Sequence, residues 1–237
     1  MLGGQGEGKM TEKFSIIILE YGVVLVMRRK FVVSEIELHE VCHLLYSQLL
    51  PTCLISGRGG DNLALSIKGA LTRTFCSGAL DMKSLCIIEG KTCWTLYIDA
   101  LILECSGNLL DAISIAVKAA LYDTRLPDLK VIGEGAERDI EVSDDPYDIV
   151  PLDVSGVPVL VTLNKIRDRY VVDATLQEEV CSDSQLLVAI NAKGNVCSTQ
   201  LHGDGAMHPD LLFEMLRVGK KIGTVINTKL KEVVDAE

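Results

Sequence analysis

The sequence predicts an α+β protein with helices packed on mixed sheets, and three observations predict it. Apolar residues recur every third or fourth position over 61–76, 107–121 and from 209 onward, the period of an amphipathic helix. Runs at 85–89, 93–104, 158–166 and 186–192 are alternating or continuously apolar, as in strands covered on one or both faces. The order of elements is helix, two strands, helix, several strands and a long helix, without the regular alternation of a doubly wound sheet.

Each element has a local cause. Phe14 to Met27 reads as strand. Ser34 and Glu37 have the spacing of a capping box, which predicts a helix from Glu35 to Leu50 stopped by Pro51. Over Asp61 to Cys76, Leu63, Ile67, Leu71 and Phe75 form one apolar stripe, with Lys68, Thr72 and Arg73 off it. In the strand from Cys93 to Glu104, Trp94, Leu96, Ile98 and Ile102 share a face, and Tyr97, Leu101 and Leu103 share the other. The helix opening at Gly107 has small residues (Ala112, Ser114, Ala116, Ala119, Ala120) that permit close approach to a sheet, and it ends at Thr124-Arg125-Leu126-Pro127. Ser143 to Asp148 is a polar, turn-rich connection, and Lys193-Gly194-Asn195 is a hairpin turn. Pro209 suits the first turn of the last element, which is expected to be one long helix, with Gly219 and Gly223 as the points where it could break.

The chain has 237 residues, enough for a sizeable core in one or two domains. With 48% hydrophobic residues but 5% aromatics, that core is aliphatic. The formal net charge of -10 argues against a free-standing nucleic-acid binder, but not against RNA contact through a local basic surface or a shared assembly. Eight cysteines occur without a CxxC pair, mostly in apolar runs, and read as buried thiols in a reducing compartment. The one run that raises a membrane question, Ile16 to Met27, is interrupted by Glu20 and Gly22 and is shorter than a span; no cleavage-site pattern precedes it, so an intracellular soluble protein is expected.

The segment from Val171 to Gln185, VVDATLQEEVCSDSQ, carries the most chemistry. Asp173, Glu178, Glu179 and Asp183 gather between two strands, a composition suited to a metal or to general acid work. With GRGGDNLALSIKGALTRTF at 57–75, CWTLYIDALILECSGNLLDAISIAVKAALYDTRLP at 93–127 and SDDPYD, it resembles the RNase PH family, and within it the ring subunits of the RNA exosome that do not cut. The resemblance implies an RNase PH-like fold of two βαβ-like halves over residues 56–237. Residues 1–55 are expected to stand outside the family pattern and to leave the first half incomplete.

Active members of that family degrade RNA from its 3′ end by phosphorolysis, which needs a cationic phosphate cradle and carboxylates for a metal or protons. The resemblance aligns Gly107, Asn108 and Leu109 with a Gly-Thr-Arg turn, so a phosphate-binding Arg becomes Leu109. No Arg occurs over 61–65, where another is expected. Of the paired carboxylates, Glu179 is retained and the second becomes the neutral Gln185, a poor ligand for a hard cation. The resemblance therefore implies no catalytic residues, cofactor or metal. It implies a scaffold partnered with other RNase PH-like ring subunits and cap subunits, with RNA threaded through the pore to a separate nuclease, in the nucleus, nucleolus and cytoplasm. Lys68 and Arg73 are the candidates for RNA contact; the alternative is that they solvate their helix.

Two enzyme readings compete. One is residual phosphorolysis by the acids of 173–183, against their solvating a sheet edge or pairing with Arg167 and Arg169. The other is a zinc protease from His39-Glu40-Val41-Cys42-His43, which fits H-E-x-x-H on a helix but has no clear third ligand; two surface histidines are the simpler reading. Gly57-Arg58-Gly59-Gly60 lacks the Lys-Ser/Thr of a P-loop and reads as a turn. His202 and His208 are assigned to loops.

Overall fold

A computed structural model describes residues 12–18, 24–35, 51–53, 60–75, 79–80, 85–88, 92–102, 105–133, 139–142 and 147–235. In chain order the elements are β1 (Glu12–Ile18), β2 (Val24–Glu35), β3 (Pro51–Cys53), α1 (Gly60–Phe75), β4 (Cys86–Ile88), β5 (Thr92–Ile102) and α2 (Leu109–Tyr122). Four short strands follow: β6 (Arg125–Pro127), β7 (Leu129–Ile132), β8 (Asp139–Val142) and β9 (Ile149–Pro151). The last group is β10 (Val159–Ile166), β11 (Arg169–Val172), α3 (Leu176–Val180), β12 (Ser184–Ile190), β13 (Val196–His202) and α4 (Pro209–Val234).

The first sheet has the order β1-β2-β5-β3, with β4 also on β5. β3 runs parallel to β5 with α1 between them in sequence, so this half contains one βαβ crossover. The second sheet, β11-β10-β12-β13, is antiparallel throughout and its long helix follows the strands, so this half is not a βαβ unit. Two small ribbons, β6-β9 and β7-β8, connect the halves.

The N-terminal expectation changes. Residues 12–18, 24–35 and 51–53, all inside the segment set apart as 1–55, supply three strands of the first sheet. Ser34 does not cap a helix starting at Glu35: both lie in β2, opposite Cys93 and Thr92 of β5. Pairing with β5 from Leu25 to Glu35 outweighs a local cap signal. The rest of that proposed helix, and HEVCH at 39–43, lie outside the described residues.

The second sheet is sandwiched. Leu160, Leu187 and Ala189 face α1 and α2 in the larger core, with Ile67, Leu71 and Phe75 of the α1 stripe and Ile113, Ala116 and Val117 of α2. Val161, Leu163, Leu186, Val188 and Ile190 face α4, packing around Met215. Strand alternation explains the division, since neighbours along a strand point to opposite faces. α4 is one long helix, as expected, and it runs unbroken through Gly219 and Gly223. Gly219 and Gly223 are buried where it crosses the sheet, and a Cβ at Gly223 would lie 2.5 Å from Ile190 Cδ1. Their lost helix propensity is offset by that close approach. Among the described residues no helix is long and apolar enough to cross a membrane, and Cys86, Cys105, Cys181 and Cys197 are free thiols.

Candidate functional site

The N-terminus of α2 meets the loop after β11, and several of the residues singled out in the sequence converge there. The chain enters α2 through two left-handed residues, Gly107 (φ 130) and Asn108 (φ 48). At Gly107 a Cβ would fall 2.5 Å from the carbonyl oxygen of Ala174, so only glycine fits. Asn tolerates the left-handed region better than most residues. Gly107 bridges to Thr175, and Leu176 N donates to the Ser106 carbonyl at 3.1 Å, which stitches the two loops together.

The helix N-terminus is an anion-attracting position, and the chain's own carboxylates occupy it. Asn108 N donates to Glu179 Oε1 at 2.9 Å, and Asn108 Nδ2 donates to Asp173 Oδ1 at 2.9 Å. Leu109 begins the helix with 8% of its surface exposed and packs into the larger core. The position that the resemblance pairs with a phosphate-binding Arg is thus filled by an apolar side chain turned inward.

Below it, α2 stands in for a missing strand. β11 pairs with β10 only from Leu163 onward, so Leu160 and Thr162 have no β11 neighbour. Ser114 Oγ accepts from Leu160 N at 2.9 Å, and Asp111 Oδ2 accepts from Thr162 N at 2.8 Å. Thr162 Oγ1 lies 2.6 Å from Asp111 Oδ1. Burial pushes the Asp111 carboxyl up to about 7, against the lowering effect of these hydrogen bonds. Asn164 is the next residue on the same face of β10; it is fully buried and neither amide atom has a partner. Asn108 Oδ1 is also buried without one. Gln185 lies across from Asn164 and on the same face, with His202 opposite it on β13.

The acids of 173–183 each have a structural task. Glu178 completes a capping box with Thr175 at the start of α3, and those hydrogen bonds hold its carboxyl below the usual range. Asp183 accepts from the backbone N–H of Arg167 at 3.0 Å and pairs with Lys165 at 3.6 Å, so its cationic partner is Lys165, not Arg167 or Arg169. Among the described residues no three His, Cys, Asp or Glu side chains gather as a metal site. Glu179 lies on α3 and Gln185 on β12. A turn at Cys181 to Asp183 separates them.

Lys68 is half-buried on α1, and the exposed Arg73 donates through Nε to Gln200 Oε1 of β13 at 3.0 Å. His202 ends β13 and is not a loop residue, whereas His208 is the last residue of the loop before α4, as expected, and caps the helix by accepting from Asp210 N. Asp111, Thr162 and Asn164 were not picked out in the sequence. A lone acid within the apolar ridge of α2 was the signal for Asp111; nothing in the sequence marks Asn164. A pocket of about 200 Å³ lies at the far end of α2, lined by Tyr122, Asn227, Thr228 and Lys231 among others, and includes none of the family positions.

This architecture is that of a known class. The sequence matches the model for domain 1 of the 3′ exoribonuclease family over residues 23–127 and that for domain 2 over residues 156–222, which together cover most of the chain. The chain belongs to this family, the RNase PH family. The first match begins at residue 23, inside the segment set apart as 1–55.

Within the family the chain is similar to exosome components of the Rrp42 and RRP45 kind. It is 45% identical over 152 residues to the putative exosome complex exonuclease RRP42 of Dictyostelium discoideum, covering 62% of this chain and 47% of that protein. It is 35% identical over 138 residues to the exosome complex component Rrp42 of Methanopyrus kandleri, covering 58% of this chain and 49% of that one. The chain thus spans about half the length of these relatives. Among solved structures, a chain of an archaeal exosome core superposes with a TM-score of 0.66 at 24% identity, covering 96% of this chain and 90% of that one. A chain of an Archaeoglobus fulgidus exosome with RNA bound to the active site gives 0.61 at 21%, covering 93% and 89%. These two likenesses establish the fold.

Proposed function

We infer that the chain is a non-catalytic ring subunit of an RNA exosome, which helps shape the channel that delivers RNA to a separate nuclease. Its partners on this reading are other RNase PH-like ring subunits, cap subunits and RNA passing through the pore. The nucleus, nucleolus and cytoplasm are the compartments that follow from it.

The observation that carries the reading is the state of the α2 N-terminus. Phosphorolysis requires a cation where inorganic phosphate is held. Here Leu109 is buried in the core, and Glu179 accepts the N–H that an incoming anion would use. Gln185 supplies an amide where a second carboxylate is expected. Asp173, Glu178 and Asp183 are engaged in holding loops, which supports the structural reading of the acidic segment.

The test is co-expression with the expected ring neighbours followed by native mass spectrometry, and incubation of the purified assembly with RNA and inorganic phosphate. One copy per ring and no nucleoside diphosphate release from this subunit's site are expected. Failure to incorporate, when a full-length relative incorporates in parallel, would sink the ring assignment. Phosphate-dependent release of nucleoside diphosphates, abolished by Glu179→Ala, would instead establish residual activity.

A further inference from the structure

We propose that the outward face of α4 binds single-stranded RNA along its sugar-phosphate backbone, at a surface separate from the α2 N-terminus. Between Glu214 and Glu232 the chain carries Arg217, Lys220, Lys221, Lys229 and Lys231 and no acid. The whole chain has 33 acids against 23 bases, so an acid-free run of this length with five cations departs from its surroundings.

The structure turns that run into a surface. Phe213, Arg217, Lys220, Lys221, Thr224 and Lys231 recur at the spacing of one helix face, and all are exposed. Acids lie only at the two ends of this face, Asp210 and Glu214 before the run and Glu232 and Asp235 after it. Asp210 lies 3.4 Å from His208 Nδ1, Glu214 accepts from Tyr170 Oη at 2.9 Å, and Glu232 pairs with Lys229 at 2.6 Å. Arg217, Lys220, Lys221 and Lys231 keep no side-chain hydrogen bond or ion pair among the described residues. A row of uncompensated cations attracts a chain of phosphates.

Phe213 decides between kinds of polyanion. It is 65% exposed, one turn before Arg217. An aromatic ring beside a cationic track is the arrangement on which unpaired bases stack, and a duplex has no free base face to offer it. An acidic peptide would use the cations alone. The 26-residue helix is about 39 Å long by its rise of ~1.5 Å per residue, so the track runs in line along a rigid rod.

The test uses the full chain and a fluorescein-labelled single-stranded oligoadenylate RNA, titrated by fluorescence polarisation from roughly 50 to 200 mM salt. Arg217→Glu/Lys220→Glu/Lys221→Glu is expected to weaken binding at least ~10-fold. It should also make the log–log salt slope shallower by about 2, since each single-strand phosphate contact contributes about 0.7. Phe213→Ala is expected to weaken binding with the salt slope unchanged. Arg217→Gln/Lys220→Gln/Lys221→Gln, which keeps helix propensity, repeats the first result without charge reversal, and circular dichroism verifies the fold of each variant. Absence of RNA binding by the wild type, or wild-type affinity and salt slope retained in both triple variants, would overturn the proposal. Displacement of the RNA by polyglutamate at matching charge concentration would overturn it in favour of an acidic protein partner. Native mass spectrometry of the same variants with ring neighbours reads the ring assignment separately, because these substitutions leave the folded core untouched.

Discussion

The ammonium of Lys118 and the side chain of Asn227 form a buried link between α2 and α4. Lys118 Nζ donates to Asn227 Oδ1 at 2.5 Å and to the Val157 carbonyl at 2.6 Å, and none of Lys118 is exposed. Asn227 Nδ2 in turn donates to the carbonyls of Ile190, Asn191 and Gly223. A charge this deep is tolerated because both partners are fixed by other elements.

Asn227→Leu is expected to destabilise the protein by about 3 kcal/mol, since it leaves the Lys118 charge without its side-chain acceptor. Lys118→Met in the same background should recover part of that loss. Urea unfolding of the two single variants and the double variant measures the coupling. Burial also pushes the Lys118 amine down to about 8. The unfolded chain therefore binds the extra proton between pH 8 and 10.5, and this contribution makes stability rise over that range. Relative to Lys118→Met, the wild type should gain stability as pH climbs from 8 to 10.5; a constant difference would refute the assignment.

Asp111 works in the opposite sense. Its carboxyl is pushed up to about 7 by burial, against an ordinary value of 3.8. Between those values the folded state holds a proton that the unfolded state has released, so stability falls as pH rises. Urea unfolding of wild type and Asp111→Asn across this range should show the wild type losing stability relative to the variant from about pH 4 to 7. The two curves should run parallel above that.

Removing the carboxylate at 179 should loosen the start of α2 without unfolding the protein. Glu179→Ala deprives Asn108 N–H of its acceptor, a loss of about 1 kcal/mol. Faster hydrogen exchange at Asn108 and the first turn of α2, with unchanged protection in β12, is the expected pattern. Uniformly faster exchange would show that Glu179 supports the whole fold instead.

The contact between α4 and the sheet has almost no tolerance. Gly223→Ala would bring a Cβ 2.5 Å from Ile190 Cδ1 and 2.9 Å from Ile190 Cβ. Overpacking of that kind costs about 1–3 kcal/mol. Ile190→Val paired with Gly223→Ala should recover part of it, and thermal unfolding of the three variants is the measurement.

Much of this fold is legible in the chain because its period is strong. The α1 stripe of Ile67, Leu71 and Phe75, the hairpin at Gly194, and Pro209 in the first turn of α4 follow from local rules. The short β11 and α3 are not legible, since a four-residue strand and a five-residue helix carry too little periodicity inside VVDATLQEEV. Ser34 misled because a cap signal looks identical whether its chain is free or paired along eleven residues of β5. At the candidate site, the family resemblance located Leu109, Glu179 and Gln185, and the four acids were visible as a cluster. Their use was not. That Asp173 and Glu179 hold Asn108, and that Asp183 holds the β10–β11 turn, depends on contacts across 65, 71 and 16 residues.

The substitution of α2 for a strand beside β10 has a consequence for how the molecule is made. The amides of Leu160 and Thr162 find their acceptors on Ser114 and Asp111, across 46 and 51 residues. During synthesis the C-terminal sheet can pair its strands as it emerges, yet β10 stays half bare until α2, which emerges before it, docks alongside. The two halves recognised as separate family domains are therefore expected to unfold in one cooperative transition. A C-terminal fragment beginning at β10 would expose two buried amides and behave as a sticky intermediate, not as a miniature of the parent.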